Sequence, residues 1–269
     1  MSKMNTIIVA SDFSQEAKNA TEYAIGIAKK TGAKLVVFNL YIVSVHAVHA
    51  RLPYKSILQS IDAAKTKVEN RVQKLSETHG IDITADFAMG NFFNQLKRAI
   101  KEHHAEMVVM GMHVKTLDGD LLGSTTSEAI HKIKIPILAV PLKAKFKGVT
   151  KILFACDLNR GVNDAILNRI KQTTRKFNSE LNVFHVNDKV SSLESNTELL
   201  EPLEEVSYFY KSVQSEAVIE EIKKELLAYQ PDILIMVPFE YGFWSSLIHK
   251  SKTRMMSSGL DMPLLSIHA

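Results

Sequence analysis

Short, nearly continuous apolar runs rich in β-branched side chains recur along the chain, and longer segments with apolar residues on one helical face separate them. Apolar runs without alternation are typical of strands buried on both faces of a parallel sheet. The pattern therefore predicts alternating strands and helices, in the order β-α-β-α-β-α-β-α-β, with right-handed crossovers. The clearest strands are predicted near residues 6–10, 34–40, 105–111 and 135–140, and again near 151–156, 180–186, 231–237 and 262–267.

The ends of the predicted helices carry their own signals. Ser14 is suited to cap a helix that runs through Lys30, because its hydroxyl can accept a hydrogen bond from a first-turn amide. Gly32 stands where a left-handed C-cap belongs. Further helices are predicted at 57–78, 92–104 and 126–134, and in the second part of the chain at 162–178, around 196–208, at 215–230 and at 251–257.

The chain contains the same set of motifs twice, in the same order. The run Thr6-Ile-Ile-Val-Ala-Ser-Asp12 reappears as Lys151-Ile-Leu-Phe-Ala-Cys-Asp157, and Ile-Pro136-Ile-Leu-Ala-Val reappears as Met-Pro263-Leu-Leu-Ser-Ile. We therefore predict an α/β protein of two tandem domains, 1–143 and 149–269, each with a doubly wound, parallel, five-stranded sheet. The Lys-rich residues of 142–150 are predicted to be a solvated linker.

The composition excludes several classes of protein. Of the 269 residues, 46% are hydrophobic and 23% are charged, so the chain is predicted to bury a core and not to be disordered. No apolar run approaches the roughly 18 residues that a membrane helix needs, and the first residues do not resemble a secretory signal. The single cysteine, Cys156, allows no internal disulfide, so a cytoplasmic protein is expected, with Cys156 as a small buried side chain.

The charge pattern favours neither a nucleic acid nor a metal as ligand. The net charge is a mild +4, from 33 Lys and Arg against 29 Asp and Glu. Four lysines come closest to a basic stripe, and we interpret them as a solvated linker: Lys143, Lys145, Lys147 and Lys151. His46 and His49 have the i, i+3 spacing of a helical pair, but no nearby Cys, Asp or Glu completes a metal site.

Candidate ligand-binding residues stand at the ends of predicted strands, because ligands of an open parallel sheet bind beyond the carboxyl ends of its strands, where the strand order reverses. Asp12, Leu40 and Gly111 end three predicted strands, and Gly123-Ser124 opens the last helix of the first domain. A carboxylate accepts hydrogen bonds from a ribose hydroxyl or an adenine amine, glycine allows a close backbone approach, and helix-initial amides bind anions. The alternative for Asp12 is a helix cap without a ligand.

The sequence Ile-Val-Ala-Ser-Asp12-Phe-Ser, together with Met110-Gly111, Gly123-Ser124 and Ile-Pro136-Ile-Leu-Ala-Val, resembles the universal stress protein family. The resemblance extends over essentially the whole chain as two tandem family domains. It implies the adenine nucleotide alpha hydrolase-like fold and an internal pseudo-dimer, in which residues 135–140 pair antiparallel with 264–267. It also implies ATP or AMP as the ligand of the first domain.

The family's nucleotide contacts fall on specific positions of the first domain. By resemblance, Asp12 holds the adenine or the ribose, Leu40 offers its backbone to the adenine, and the amides that begin at Gly123 cradle the phosphates. The candidate cofactor-binding residues are Ala10, Asp12, Leu40, Met110, Gly111, His113, Gly123, Ser124 and Thr125. The loop between Gly111 and Gly123 departs from the family pattern, because Val114 stands at the second glycine and the loop is one residue shorter.

Two functions of different classes stay open. The first is a cytoplasmic stress-response protein that binds an adenine nucleotide and signals by conformation. The second is an interaction module that holds another small ligand or none; the second domain, which keeps Asp157 but lacks the glycines, is predicted to be such a degenerate copy. Weak ATP hydrolysis is a further alternative, although no catalytic constellation stands out. A protein partner and a homodimer of two chains are the remaining expectations.

Overall fold

One sheet runs through the whole of the described chain. The computed structural model describes residues 4–42, 53–112, 124–156, 158, 162–187, 198–238 and 262–268. These residues form the strands β1 (Thr6–Ala10), β2 (Lys34–Tyr41), β3 (Ile83–Met89), β4 (Met107–Met112), β5 (Ile137–Pro141), β6 (Lys151–Cys156), β7 (Glu180–Asn187), β8 (Tyr208–Gln214), β9 (Ile233–Met236) and β10 (Leu264–Ser266). The helices are α1 (Gln15–Thr31), α2 (Tyr54–His79), α3 (Phe92–Glu102), α4 (Ser124–Lys132), α5 (Asp164–Phe177) and α6 (Val218–Tyr229), with a 3-10 helix at Glu198–Leu203.

The strand order is β3-β2-β1-β4-β5-β10-β9-β6-β7-β8. The first half of the chain, through β5, and the second half, from β6 onward, therefore repeat one order, and every pair within a half is parallel. This is the doubly wound α/β arrangement that the repeat predicted. None of the described helices combines the length and the apolar composition that crossing a membrane requires.

The two halves join at a single antiparallel pair of strands, β5 and β10. Leu138 lies opposite Leu265, Ala139 opposite Leu264, and Ile137 opposite Ser266. The predicted antiparallel pairing of the two last strands is thus confirmed. Because Leu138 and Leu265 are equivalent positions of the repeat, the pseudo-twofold axis passes between them. The pairing removes two exposed sheet edges, which are otherwise sites of aggregation.

Helices cover both faces of the sheet, which explains why its strands are apolar without alternation. On one face, α1 and α5 pack with the inward residues of α2 in one buried cluster. On the other face, α3, α4 and α6 form a second cluster. Strand residues alternate between the two: Ile7 and Val9 belong to the first cluster, and Ile8 to the second.

The predicted helix signals are confirmed at α1. The Ser14 hydroxyl accepts a hydrogen bond from the Ala17 amide at 3.2 Å, and Gly32 adopts a left-handed C-cap with φ of 71°. The helix predicted around 196–208 is wrong, because a 3-10 helix at Glu198–Leu203 leads into β8. Pro202 lies inside that short helix and has no amide hydrogen to donate, so a regular α-helix cannot continue through it. The helix predicted at 251–257 lies outside the described residues.

The linker is packed on α1 through its apolar residues, so the prediction of a solvated segment is confirmed for its exposed lysines and wrong for the rest. Ala144 and Val149 are buried. The Asn19 amide of α1 donates to the carbonyls of Pro141 and Ala144 at 2.8 and 2.9 Å. The Phe146 ring lies against Gly26, where an added Cβ would stand 2.3 Å from the ring. The lysine-rich composition hid these contacts.

Side chains from each half also reach the other. Lys176 of α5 forms an ion pair with Glu106, which precedes β4. The Arg169 guanidinium of α5 donates to the Lys134 carbonyl at 3.2 Å and to the His268 carbonyl at 2.6 Å. These contacts fix the two halves against each other beside the β5–β10 pair. The domain boundaries at 143 and 149 stay a prediction.

Candidate ligand site at the carboxyl edge of the sheet

The strand register brings four of the predicted ligand-binding residues to one edge. Ala10 at the end of β1 pairs with Phe38 of β2 and with Met110 of β4. Leu40 lies two residues beyond Phe38, and Gly111 lies one residue beyond Met110. Met110 is buried, and Ala10, Leu40 and Gly111 are partly exposed. Three neighbouring strands thus end together where β1 meets β2 and β4.

Asp12 lies in the turn that leads from β1 into α1. One carboxylate oxygen, Oδ1, accepts a hydrogen bond from the Ser14 amide at 2.9 Å, and the residue is exposed. The helix-capping alternative therefore describes part of what Asp12 does. A carboxylate has two oxygens with several lone pairs, so this one bond leaves acceptor capacity for a ligand.

The turn contains a strained residue, Phe13, whose φ of 61° lies in the left-handed region. This conformation costs a non-glycine residue about 1–3 kcal/mol and persists only where the surroundings enforce it. The Ser11 hydroxyl accepts the Phe13 amide at 3.2 Å, and the Arg71 guanidinium of α2 lies 4.4 Å from the centre of the Phe13 ring. Such strain clusters at ligand clamps, and here it stands next to Asp12.

Gly111 is explained first by packing. A Cβ at this position would lie 2.7 Å from the carbonyl carbon and 2.8 Å from the carbonyl oxygen of Glu16, in the first turn of α1. The close approach that glycine permits is therefore an approach of α1 to β4. A contact between Gly111 and a ligand stays a prediction.

Helix α4 begins beside the end of β4, because the Thr126 hydroxyl donates to the Gly111 carbonyl at 3.3 Å. Ser124 is the first residue of α4, and Thr125 is exposed. The first amides of a helix have no partners within it and favour an anion. His113, Val114 and Gly123 lie outside the described residues, as does the side chain of Ser124.

Asn39 belongs to this edge and was not among the predicted residues. It is buried, and its side-chain amide donates to the Ser11 carbonyl at 2.7 Å. In the second half His185 takes the same place: its Nδ1 lies 3.3 Å from the Cys156 carbonyl. A polar residue that follows the phenylalanine of an apolar strand in both copies of the repeat is the sequence signal that would have found both.

The second half has strands equivalent to those of this edge, but fewer of the residues beyond their carboxyl ends are described. Cys156, at the end of β6, is buried, as the sequence predicted. Val186 and Val237 are buried at the ends of β7 and β9. Asp157, the acidic residue of this copy, lies outside the described residues. Over the described ranges of both halves, no group of His, Cys, Asp and Glu side chains is suited to a metal ion; His46 and His49 lie outside those ranges.

Comparison with known proteins identifies the family. The profile described as "Universal stress protein family" matches residues 3–141, which is half of the chain. The chain belongs to the universal stress protein family. A universal stress protein of Methanocaldococcus jannaschii is 28% identical over 138 residues, which cover 50% of this chain and 80% of the relative.

Solved universal stress protein structures share the fold. One from Archaeoglobus fulgidus covers 98% of this chain and is itself covered to 98%, with a TM-score of 0.69 and 19% identity. The full ten-stranded arrangement therefore has a counterpart of the same length. A universal stress protein solved in complex with cAMP covers 52% of this chain and 99% of its own, at 23% identity and a TM-score of 0.39.

Proposed function

We propose that this universal stress protein binds an adenine nucleotide, AMP or ATP, at the carboxyl ends of β1, β2 and β4. The observation that carries the proposal is the convergence of Ala10, Asp12, Leu40 and Met110 at this edge. The chain leaves β1 through α1 on one face and returns to β4 from α3 on the other. That reversal is the switch point at which open α/β sheets hold ligands.

The proposed contacts follow from the chemistry of each group. The Asp12 carboxylate accepts hydrogen bonds from ribose hydroxyls or from the adenine amine. The Leu40 backbone, at the end of β2, faces the base. The amides at the start of α4, from Gly123 to Thr125, and the Ser124 hydroxyl receive the phosphates, because a helix N-terminus favours negative charge. His113 completes the proposed lining.

The proposed biological role is at the level of the family: a cytoplasmic stress-response protein whose nucleotide-dependent conformation is read by a protein partner. The second half is proposed to support the first without a nucleotide of its own. Association of two chains into a homodimer is a further proposal; within the described residues, β3 and β8 are the outer strands of the sheet, and each pairs with a neighbouring strand on one side.

A second candidate function is an interaction module without a nucleotide. The bond from the Ser14 amide to Asp12 Oδ1 favours it, because this bond gives the aspartate a role in the turn before α1 that needs no ligand. The same experiment distinguishes the two functions, since only the first requires that a nucleotide bind and that Asp12 contribute.

The test is calorimetric titration of the full chain with AMP, ATP and cAMP. We expect saturable binding below millimolar concentration. Asp12→Asn keeps an oxygen for the Ser14 amide but removes the charge and one acceptor, so we expect the Kd to rise about tenfold. Asp82→Asn is the matched control, because Asp82 is an exposed aspartate that pairs with Lys34 at the opposite edge of the sheet. Absence of heat at millimolar nucleotide would rule out the first function.

A further inference from the structure

Hydrogen bonding between β1 and β2 continues one residue beyond the paired strands. The parallel register of these strands ends at the pair Ala10 and Phe38. The next residue, Ser11, is buried and donates its amide to the Phe38 carbonyl at 2.9 Å. The Ser11 carbonyl lies past the register, and a buried carbonyl without a donor is costly. The Asn39 side-chain amide supplies this donor at 2.7 Å.

This bond acts directly on Asp12. The Ser11 carbonyl and the Asp12 amide belong to one planar peptide unit. Fixing the carbonyl therefore fixes the plane from which the Asp12 Cα and side chain project. The following residue, Phe13, is strained, so the turn has a reason to relax when a restraint is removed.

The second half also has a polar side chain at this position, but its hydrogen bond runs in the opposite direction. His185 follows Phe184 in β7 as Asn39 follows Phe38 in β2, and the register places Cys156 beside His185. The His185 Nδ1 accepts the Leu158 amide at 3.2 Å, so it does not donate to the Cys156 carbonyl, which lies 3.3 Å away. Two different side chains thus bond the backbone at the end of the first strand of each half. Because a polar side chain recurs at this position, the backbone beyond the first strand of each half requires a hydrogen-bonding partner there.

We propose that Asn39 is a positioning residue of the nucleotide site: it holds the Ser11–Asp12 peptide, and thereby aims the Asp12 carboxylate, without contacting the ligand. This inference rests on the proposed function. It predicts that losing the Asn39 amide weakens nucleotide binding more than the accompanying loss of stability explains.

The test compares three buried side chains that bond backbone groups. Asn39→Leu keeps the approximate volume and removes the donor; we expect the Kd for AMP to rise about tenfold and the midpoint of thermal unfolding to fall by a few degrees. Asn19→Leu removes a buried amide that donates to two linker carbonyls; we expect a comparable fall in the midpoint with the Kd unchanged. His185→Leu removes the equivalent group of the second half, and we expect it to leave the Kd unchanged as well.

Rescue separates positioning from stability. Asn39→His introduces an imidazole whose Nδ1, in the tautomer that carries the proton there, can donate to the Ser11 carbonyl, and we expect an AMP affinity within about threefold of the wild type. Should Asn39→Leu not fold, Asn39→Ala removes the same donor and replaces it in the comparison. If the wild type binds AMP and the folded Asn39 variant binds it with the same Kd, this inference is overturned and the proposed function stands. A wild type that binds no AMP overturns the proposed function, and this inference falls with it.

Discussion

Gly111 shows how a single residue determines the spacing between a helix and a strand. A Cβ added at Gly111 would lie 2.7 Å from the carbonyl carbon of Glu16, which is too close for a normal contact. Backbone atoms in a capped helix turn cannot move aside as the end of a flexible side chain can. The packing of α1 on β4 therefore depends on this glycine. A substitution here tests the packing role independently of any ligand.

We expect Gly111→Ala to lower the free energy of unfolding by about 2–3 kcal/mol, the cost of overpacking a closely packed site. Gly80→Ala is the control: Gly80 ends α2 with φ of 65°, and an added Cβ there has no neighbour within 4 Å. Gly80→Ala therefore has only the cost of placing a non-glycine residue in the left-handed conformation, about 1 kcal/mol. Urea unfolding followed by circular dichroism measures both. Equal losses in the two variants would contradict the packing explanation.

At the scale of elements, each of the two outer strands is joined to a helix by an ion pair whose acid is buried, and the two pairs have opposite polarity. Asp86 of β3 accepts hydrogen bonds from Arg98 of α3 at 2.6 Å, and its second oxygen lies 2.9 Å from the His103 ring. In the second half Lys211 of β8 pairs with Glu225 of α6. The register places Asp86 beside Phe38 and Lys211 beside Phe184, which are equivalent positions. Each half therefore fixes a helix to its edge strand by a salt bridge, with the charges exchanged.

Removing the acid of the first pair leaves Arg98 without its main partner. The Asp86 carboxylate raises the pKa of the Arg98 guanidinium through their hydrogen bond, and the Asp86 side chain is only 7% exposed. We expect Asp86→Ala to cost about 2–4 kcal/mol, since breaking a buried pair costs 3–5 kcal/mol and Arg98 is partly exposed. Disrupting the exposed Lys34–Asp82 pair by Asp82→Ala is expected to cost less than about 1 kcal/mol. Denaturant unfolding of both variants makes the comparison, and similar losses would argue against a structural role for Asp86.

The whole molecule was predictable where local patterns repeat. Eight of the ten strands and their parallel direction follow from apolar runs and from a motif present twice, and the β5–β10 pairing was implied by the family resemblance; the outer strands β3 and β8 were not located. The packing of the linker was not predictable, because Phe146 finds its place only through the absence of a side chain at Gly26, far away in sequence. The role of Asn39 was missed because its partner, the Ser11 carbonyl, is a backbone group; only the polar residue after the phenylalanine in both copies of the repeat pointed to it. The residues that end the strands at this edge were located from the sequence, and Asn39, which supports a strand end, was missed.

At the contact between the two halves, His268 makes a contribution to the free energy of unfolding that depends on pH. His268 follows β10 and is buried. Burial lowers the pKa of its imidazole to about 4, with Lys134, His131 and Arg169 adding to the effect and a hydrogen bond to the Ile130 carbonyl opposing it. In the unfolded chain a histidine titrates near pH 6.5. Between these values the unfolded state binds the proton more readily than the folded state.

The stability that neutral His268 contributes is therefore complete above about pH 6.5 and is lost as the pH falls toward 4. We expect the free energy of unfolding to fall by about 2 kcal/mol more in the wild type than in His268→Asn between pH 7.5 and 4.5, because each unit of pKa difference is worth about 1.4 kcal/mol. His104→Asn is the control, since His104 is exposed and asparagine tolerates its left-handed backbone; its curve should run parallel to that of the wild type. Urea unfolding at each pH gives the curves. A constant offset between the wild type and His268→Asn over this range would show that the contact between the halves does not depend on the charge of His268.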